Sequence, residues 1–200
     1  MTAVVPAPSA PRPAPRPRTE RARQVIATAR VVLEAEGIDG LTMRRLADEL
    51  GIRAPSLYKH VSGKPDLELG LVELAMEESG DTLHRAVARG SADPVGALLT
   101  AYRSMGLTHP NLYRLLTGGG FPRDELVPGL EEWAGEPFYL AVGEPFLAQA
   151  LWSFAHGTMI LEFDHRFLGG SNLDRTWRAG ADAFTAARTA LAAKAVDRDR

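Results

Sequence analysis

The chain has 200 residues, 45% hydrophobic and 24% charged, enough apolar content for one or two small cores. It has no cysteine, which excludes a disulfide framework and any thiolate metal site and fits an expected cytoplasmic location. The formal net charge of −2 conceals a division: residues 1–64 carry 11 basic and 6 acidic side chains, the remainder 12 and 19. A basic end joined to an acidic body is the pattern of a chain that meets phosphate at one end only. No apolar run approaches the roughly 18–20 residues of a membrane span. Prolines at 6, 8, 11, 13, 15 and 17 interrupt the N-terminal apolar run that a signal peptide would need.

In chain order, residues 1–18 are rich in Pro, Ala and Arg without periodicity and are expected to form a disordered or transiently extended tail. Arg16, Arg18, Arg21 and Arg23 are candidates for contact with a nucleic-acid backbone or minor groove, a solubilising tail being the equal alternative. A helix is predicted from Thr19 to Glu36, with Val25, Ala29, Val32 and Leu33 on its buried side and Gly37 as its stop.

Residues 42–64 are the most informative stretch. Leu46 and Leu50 lie four apart, as do Leu57 and Val61, so each pair shares a helix face. Thr42 is placed to cap the first helix, and Gly51 stands where a turn needs positive φ. Pro55 is tolerable only in a first helical turn, so the second helix starts near Arg53 or Ala54. Two short helices about a tight turn, apolar inside and basic outside, form a helix-turn-helix whose second helix enters a DNA major groove.

A connecting helix is expected from Lys64–Asp66 to about Arg89, with Ser62 as a nearby cap. Asp93-Pro94 opens a new helix carrying Val95, Leu98, Leu99, Tyr102 and Met105, and His109-Pro110 restarts the chain through Leu112, Tyr113 and Leu116. Gly118-Gly119-Gly120 with Pro122 marks a loop. Pro128 and Pro137 leave residues 121–143 as one or two short helices. Glu144-Pro145 starts a long helix to about Phe167, Gly169-Gly170 turns the chain, and a last helix spans about Leu173 to Ala195. No strand pattern competes. The fold expected is all-α: a tail at 1–18, a three-helix DNA-binding domain at 19–64, a connecting helix at 65–90 and a second helical domain at 91–200.

The run G-I-R-A-P-S-L-Y-K-H-V-S-G-K, Gly51 to Lys64, resembles the DNA-binding core of the TetR family of bacterial transcriptional regulators, and the likeness covers roughly residues 19–80. It implies a homodimer, joined through the last two helices, that places two recognition helices in successive major grooves of a near-palindromic double-stranded operator, about 34–36 Å apart or a multiple of it. Arg53 is suited to guanine O6/N7, and Ala54 and Pro55 to thymine methyls, with Ser56 on the same groove-facing turn. Arg44 is a second candidate for a base edge or phosphate. Thr42, Tyr58, Lys59, His60 and Lys64 resemble the family's backbone-contact positions, where a hydroxyl, an ammonium or a ring N–H fixes register. Arg45 joins them as a candidate, with a solvated helix-surface charge as the even alternative. Tyr58 has packing, and His60 simple exposure, as its bland counterpart.

The acidic helical remainder resembles the family's dimerisation and ligand-sensing domain. Tyr102, Met105, Tyr113, Trp133, Phe138, Trp152, His156 and Met159 are candidate pocket residues, each with ordinary core as the competing reading, and together they suit an apolar or aromatic effector. L-W-S-F-A-H-G, Leu151 to Gly157, resembles a Trp-x-x-x-His-Gly signature of one regulator subgroup. Gly157 inside a helix costs about 1 kcal/mol against Ala, which suggests a close helix approach. Glu162, Asp164, His165 and His156 form the densest group of potential metal ligands, but His156 and His165 do not share a helical face, so no metal and no other cofactor is expected. No Ser-His-Asp order, phosphate loop or H-E-x-x-H is present, and no enzyme activity is expected. The reading is therefore a DNA-binding repressor released by a small molecule. A helical binding or catalytic protein that uses the motif for protein contacts is the alternative from another class. Activation instead of repression depends on operator position.

Overall fold

In the computed structural model, which describes residues 11–88 and 92–198, all regular structure is helical. The helices are α1 (Glu20–Gly40), α2 (Met43–Glu49), α3 (Ala54–Leu57), α4 (Lys64–Ala86), α5 (Pro94–Thr108), α6 (Pro110–Thr117), α7 (Leu130–Val142), α8 (Pro145–Phe163) and α9 (Leu173–Arg198), with a 3-10 turn at Arg123–Glu125. Their starts follow local chemistry. Thr19 Oγ1 accepts the Ala22 N–H at 3.1 Å, Asp93 Oδ1 the Gly96 N–H at 2.8 Å, and Asn172 Oδ1 the Arg175 N–H at 3.0 Å. Glu144 accepts from both Phe146 and Leu147 at the start of α8. Each such contact satisfies amide donors that a helix leaves open in its first turn.

The chain divides into two compact units: residues 12–78 with 107–131, and residues 79–106 with 132–200. This differs from a boundary at residue 91, because α6 packs on α1 and belongs with the head. Leu112 joins the head core of Val25, Ile26, Ala29, Val32, Leu33, Leu41, Leu46, Ala47, Leu57, Val61, Leu67, Leu71 and Ala75, with Leu115 and Leu116 against it. Glu34 of α1 caps α6 from outside: its carboxylate accepts the N–H groups of Asn111 and Leu112, at 3.3 and 2.9 Å, while its carbonyl accepts from the Asn111 side chain. His109, the residue before α6, supplies no side-chain cap, so the neighbour does.

In the second unit, α5 and α8 run antiparallel and close. A Cβ on Gly106 would lie 2.8 Å from the Met159 methyl. One turn away, Arg103 donates to both carboxylate oxygens of Glu162, at 2.7–3.2 Å, and to Asp174 at 2.6 Å. Trp177 of α9 donates its Nε1–H to Glu162 at 2.8 Å, and Gly180 admits the Phe154 ring. Close approach therefore occurs at Gly106 and Gly180. It does not occur at Gly157, where an added Cβ would meet nothing within 4 Å.

Four further expectations change. Helix α8 stops at Phe163 instead of about Phe167, since His165 takes φ 51°, a left-handed conformation that ends a helix. Helix α7 runs through Pro137 without interruption because the Trp133 carbonyl, which Pro137 cannot reach with an N–H, accepts from His84 Nε2 at 3.0 Å. The tail is not wholly disordered: residues 1–10 lie outside the described residues, but from Arg12 onward the segment is held against α4 by ion pairs. Helix α4 ends at Ala86, three residues before the expected Arg89.

Candidate nucleic-acid interface

The helix-turn-helix is set by its turn. Leu50 caps α2, Gly51 follows with φ +64°, the Gly51 N–H reaches Asp48 O at 3.1 Å, and the Ile52 N–H reaches back to Ala47 O at 3.0 Å. This pair of bonds is the Schellman closure, which needs a residue free to take positive φ at Gly51. Helix α3 is a single regular turn. Pro55 is its second residue, and the bonds Lys59 N–H to Ser56 O, His60 N–H to Leu57 O and Val61 N–H to Leu57 O continue it as tight turns. Leu57 and Val61 are buried and fasten it, while Leu46 and Ala47 hold α2.

On the outer side, Arg53, Pro55, Tyr58 and Lys59 are exposed, Tyr58 by 55%, and Ser56 and His60 are half-buried. Ala54 sits partly against the head core, so its methyl is less available to a base than that of an exposed residue. Arg44 is exposed at the start of α2. Arg44, Arg53 and Lys59 enter no ion pair among the described residues. Thr42 accepts the Arg45 N–H at 3.1 Å as the N-cap of α2, which leaves its own O–H to donate. Lys64, the first residue of α4, reaches Ile38 O at 3.3 Å and stands 3.8 Å from Glu68.

Arg45, a candidate DNA-contacting residue, is ion-paired on the surface of the head. Its guanidinium lies 2.7 Å from Glu49 on its own helix and 2.8 Å from Glu36; both carboxylates raise its pKa, and the Glu36 pair ties α2 to α1. Two arginines of the tail are similarly held: Arg16 by Glu73 and Arg18 by Asp66.

The candidate ligand residues separate. Tyr102 and Phe138 are buried and meet edge to face at 5.6 Å, and Met159 is fully buried against Gly106. Met105 is half-buried on α5. Trp133 is buried and stacks on His84 at 5.0 Å. Trp152 is 49% exposed on α8 and stacks at 6.1 Å on His156, which is half-buried. Tyr113 is buried in the other unit, with the head. Burial lowers the His156 pKa from its usual 6.5. No group of three or more metal-ligating side chains occurs among the described residues, and Glu162 is occupied by Arg103 and Trp177.

A short turn-flanked helix carrying exposed cations, its inner face locked in the head core, is the arrangement of a helix-turn-helix that meets DNA. Residues 25–69 match the family described as bacterial regulatory proteins, tetR family. An uncharacterized HTH-type transcriptional regulator of Mycobacterium tuberculosis is 32% identical over 160 residues, taking in 74% of this chain and 72% of that one. Tetracycline repressor protein class A from transposon 1721 in Escherichia coli is 35% identical over 92 residues, 42% of this chain and 43% of the repressor. Among solved structures, a protein of unknown function from Rhodococcus sp. RHA1 matches with a TM-score of 0.68 at 26% identity, over 85% of this chain and 96% of that one. A TetR variant from Acinetobacter baumannii AYE in complex with minocycline matches in fold, with a TM-score of 0.57 at 23% identity over 84% and 96%. The chain belongs to the TetR family of transcriptional regulators, DNA-binding proteins of repressor type that act as dimers and bind small molecules.

Proposed function

We propose that this protein is a homodimeric repressor that holds a palindromic operator with the exposed face of its helix-turn-helix and leaves it when a small apolar or aromatic effector binds the helical body. The observation that carries the DNA reading is the state of Arg44, Arg53 and Lys59. They are exposed on an outer face whose inner residues are locked in the core, and no carboxylate of the described residues neutralises them. Arg53 reads a base edge, Arg44 a base edge or phosphate, and Thr42, Tyr58, Lys59, His60 and Lys64 fix register on the backbone.

Dimerisation through α8 and α9 is supported by apolar side chains left open on them: Phe146 at 71%, Trp152 at 49%, Leu161 at 43% and Leu191 at 40% exposure. Paired with their symmetry mates, the two helices would form a four-helix bundle. The apolar and aromatic character of Tyr102, Met105, Phe138 and Met159 supports an effector of the same chemistry. Release follows if the effector binds the DNA-free arrangement more tightly than the DNA-bound one.

The test is a gel shift on the protein's own upstream region across a salt series, followed by addition of apolar aromatic compounds. A salt-sensitive complex that a compound dissolves supports the proposal. No complex on any DNA at low salt would overturn it.

A further inference from the structure

The arginines that precede α1 look, by sequence, like a hook for DNA. Their partners lie within the head. Arg16 donates to both oxygens of Glu73 at 2.7–3.0 Å and also to the Glu125 carbonyl. Glu73 is 3% exposed and accepts the Val127 N–H at 3.2 Å, so one buried carboxylate gathers the tail, α4 and the loop before α7. Arg18 donates to Asp66 at 3.0 Å, and its other terminal nitrogen lies buried 3.7 Å from Glu73. Gly70 leaves room beside it: a Cβ there would lie 2.6 Å from Ile26 Cδ1 and 3.3 Å from that nitrogen. Asp66 also accepts the Ser62 N–H at 2.9 Å, on the backbone that leaves the recognition turn. Burial alone would push the Asp66 carboxyl up, but Ser62 and Arg18 outweigh it and hold it below its usual value. Arg12 continues the row at 3.4 Å from Glu77. Asp66, Glu73 and Glu77 recur at seven and four residues, one face of α4.

We infer that residues 12–18 are an intramolecular strap and that Arg16 and Arg18 are positioning residues for DNA binding, acting through Glu73 and Asp66 without touching DNA. The strap joins the start of α1 to α4, and through Asp66 it fixes Ser62, hence the angle at which the recognition turn is presented. Glu73 needs these cations, since a buried charge without a partner is costly, and the half-buried Asp66 is held by Arg18 and Ser62.

The inference rests on the DNA-binding reading, and its test separates the two. Full-length wild type, Arg16→Ala, Arg18→Ala and Glu73→Gln are titrated onto the upstream duplex over a salt series, at a temperature where circular dichroism shows each fully folded. Glu73→Gln keeps the side-chain shape and serves where an arginine variant folds poorly. The strap predicts that affinity falls about ten-fold while the slope of log K against log salt stays at the wild-type value, because no phosphate contact is lost. A slope shallower by about 0.9 per arginine removed would make the segment a DNA contact and overturn the inference. Unchanged affinity in all the variants would overturn it as well. Failure of wild type to bind would instead be a failure of the DNA-binding reading.

Discussion

His84 of α4 donates its Nε2–H to the carbonyl of Trp133, 3.0 Å away on α7, while its ring stacks on the Trp133 indole at 5.0 Å. That carbonyl is the one Pro137 would serve if it had an N–H, four residues on, so a histidine on one helix makes good what a proline removes from another. The pair explains how α7 keeps 13 residues of helix across a proline. Replacing His84 by Phe keeps the stacking and removes the donor, and should destabilise the protein by about 1–3 kcal/mol, the cost of an unmet buried acceptor. In a Pro137→Ala background residue 137 regains its N–H, so the same replacement should cost clearly less. Chemical denaturation of the four proteins of this cycle checks it, and equal costs in both backgrounds would break the link between the two residues.

The Arg103–Glu162 pair joins two helices that are otherwise free of Asp, Glu, Lys and Arg. Glu162 is the single carboxylate of α8, Arg103 the single formal charge of α5, and the Trp177 N–H completes the group from α9. The Glu162 hydrogen bonds, then Asp174, raise the Arg103 pKa against the effect of burial. Glu162→Ala leaves the Trp177 indole N–H without its acceptor and Arg103 with only the exposed Asp174, and should cost about 1–3 kcal/mol in thermal or denaturant unfolding. Asp174→Ala should cost under about 1 kcal/mol, because Asp174 is 86% exposed.

His156 predicts a pH dependence with a definite sign. Its pKa in the fold is lowered below 6.5 by burial, so the folded protein resists protonation that the unfolded chain accepts. The stability it contributes is present above pH 6.5 and is lost as pH falls through the lowered folded value. His156→Gln should flatten the melting temperature in that window. An unaltered pH profile in the variant would remove His156 as the cause.

Arg53→Ala should relax preference at one base pair of each half-site by about 1–3 kcal/mol, whereas Lys59→Ala should weaken all sequences alike. Arg45→Ala should leave the preference profile unchanged, since Glu36 and Glu49 pair with that side chain on the surface of the head. Binding across single-base operator variants distinguishes the three.

The head was legible because each of its local signals agrees with the fold. Thr42 caps, Gly51 turns, Pro55 starts a helix, and the apolar pairs at spacing four are buried or partly buried as expected. Arg45 was ambiguous because its fate depends on Glu36, nine residues away in another helix, and periodicity does not report side-chain partners across helices. Glu73 was missed for the same reason: its partners Arg16 and Val127 lie 57 and 54 residues distant. Arg103 and Glu162 had a signal that was not used, one lone charge in each of two apolar helices with opposite signs. The candidate ligand residues separated because aromatic content marks a packed core or an exposed surface as readily as a pocket: Tyr102 and Phe138 are buried, whereas Trp152 is 49% exposed.

The central claim is that the outer face of α3 and its flanking residues read a two-fold symmetric DNA site. The most direct measurement is selection of bound duplexes from a randomised pool by the full-length protein, with sequencing of what is retained. The predicted result is a palindromic consensus whose half-sites lie about one helical turn, or a multiple of it, apart, and which loses one specified position in each half-site for Arg53→Ala. Retention of DNA without any enriched symmetric sequence, or a consensus unchanged by Arg53→Ala together with Arg44→Ala, would contradict it.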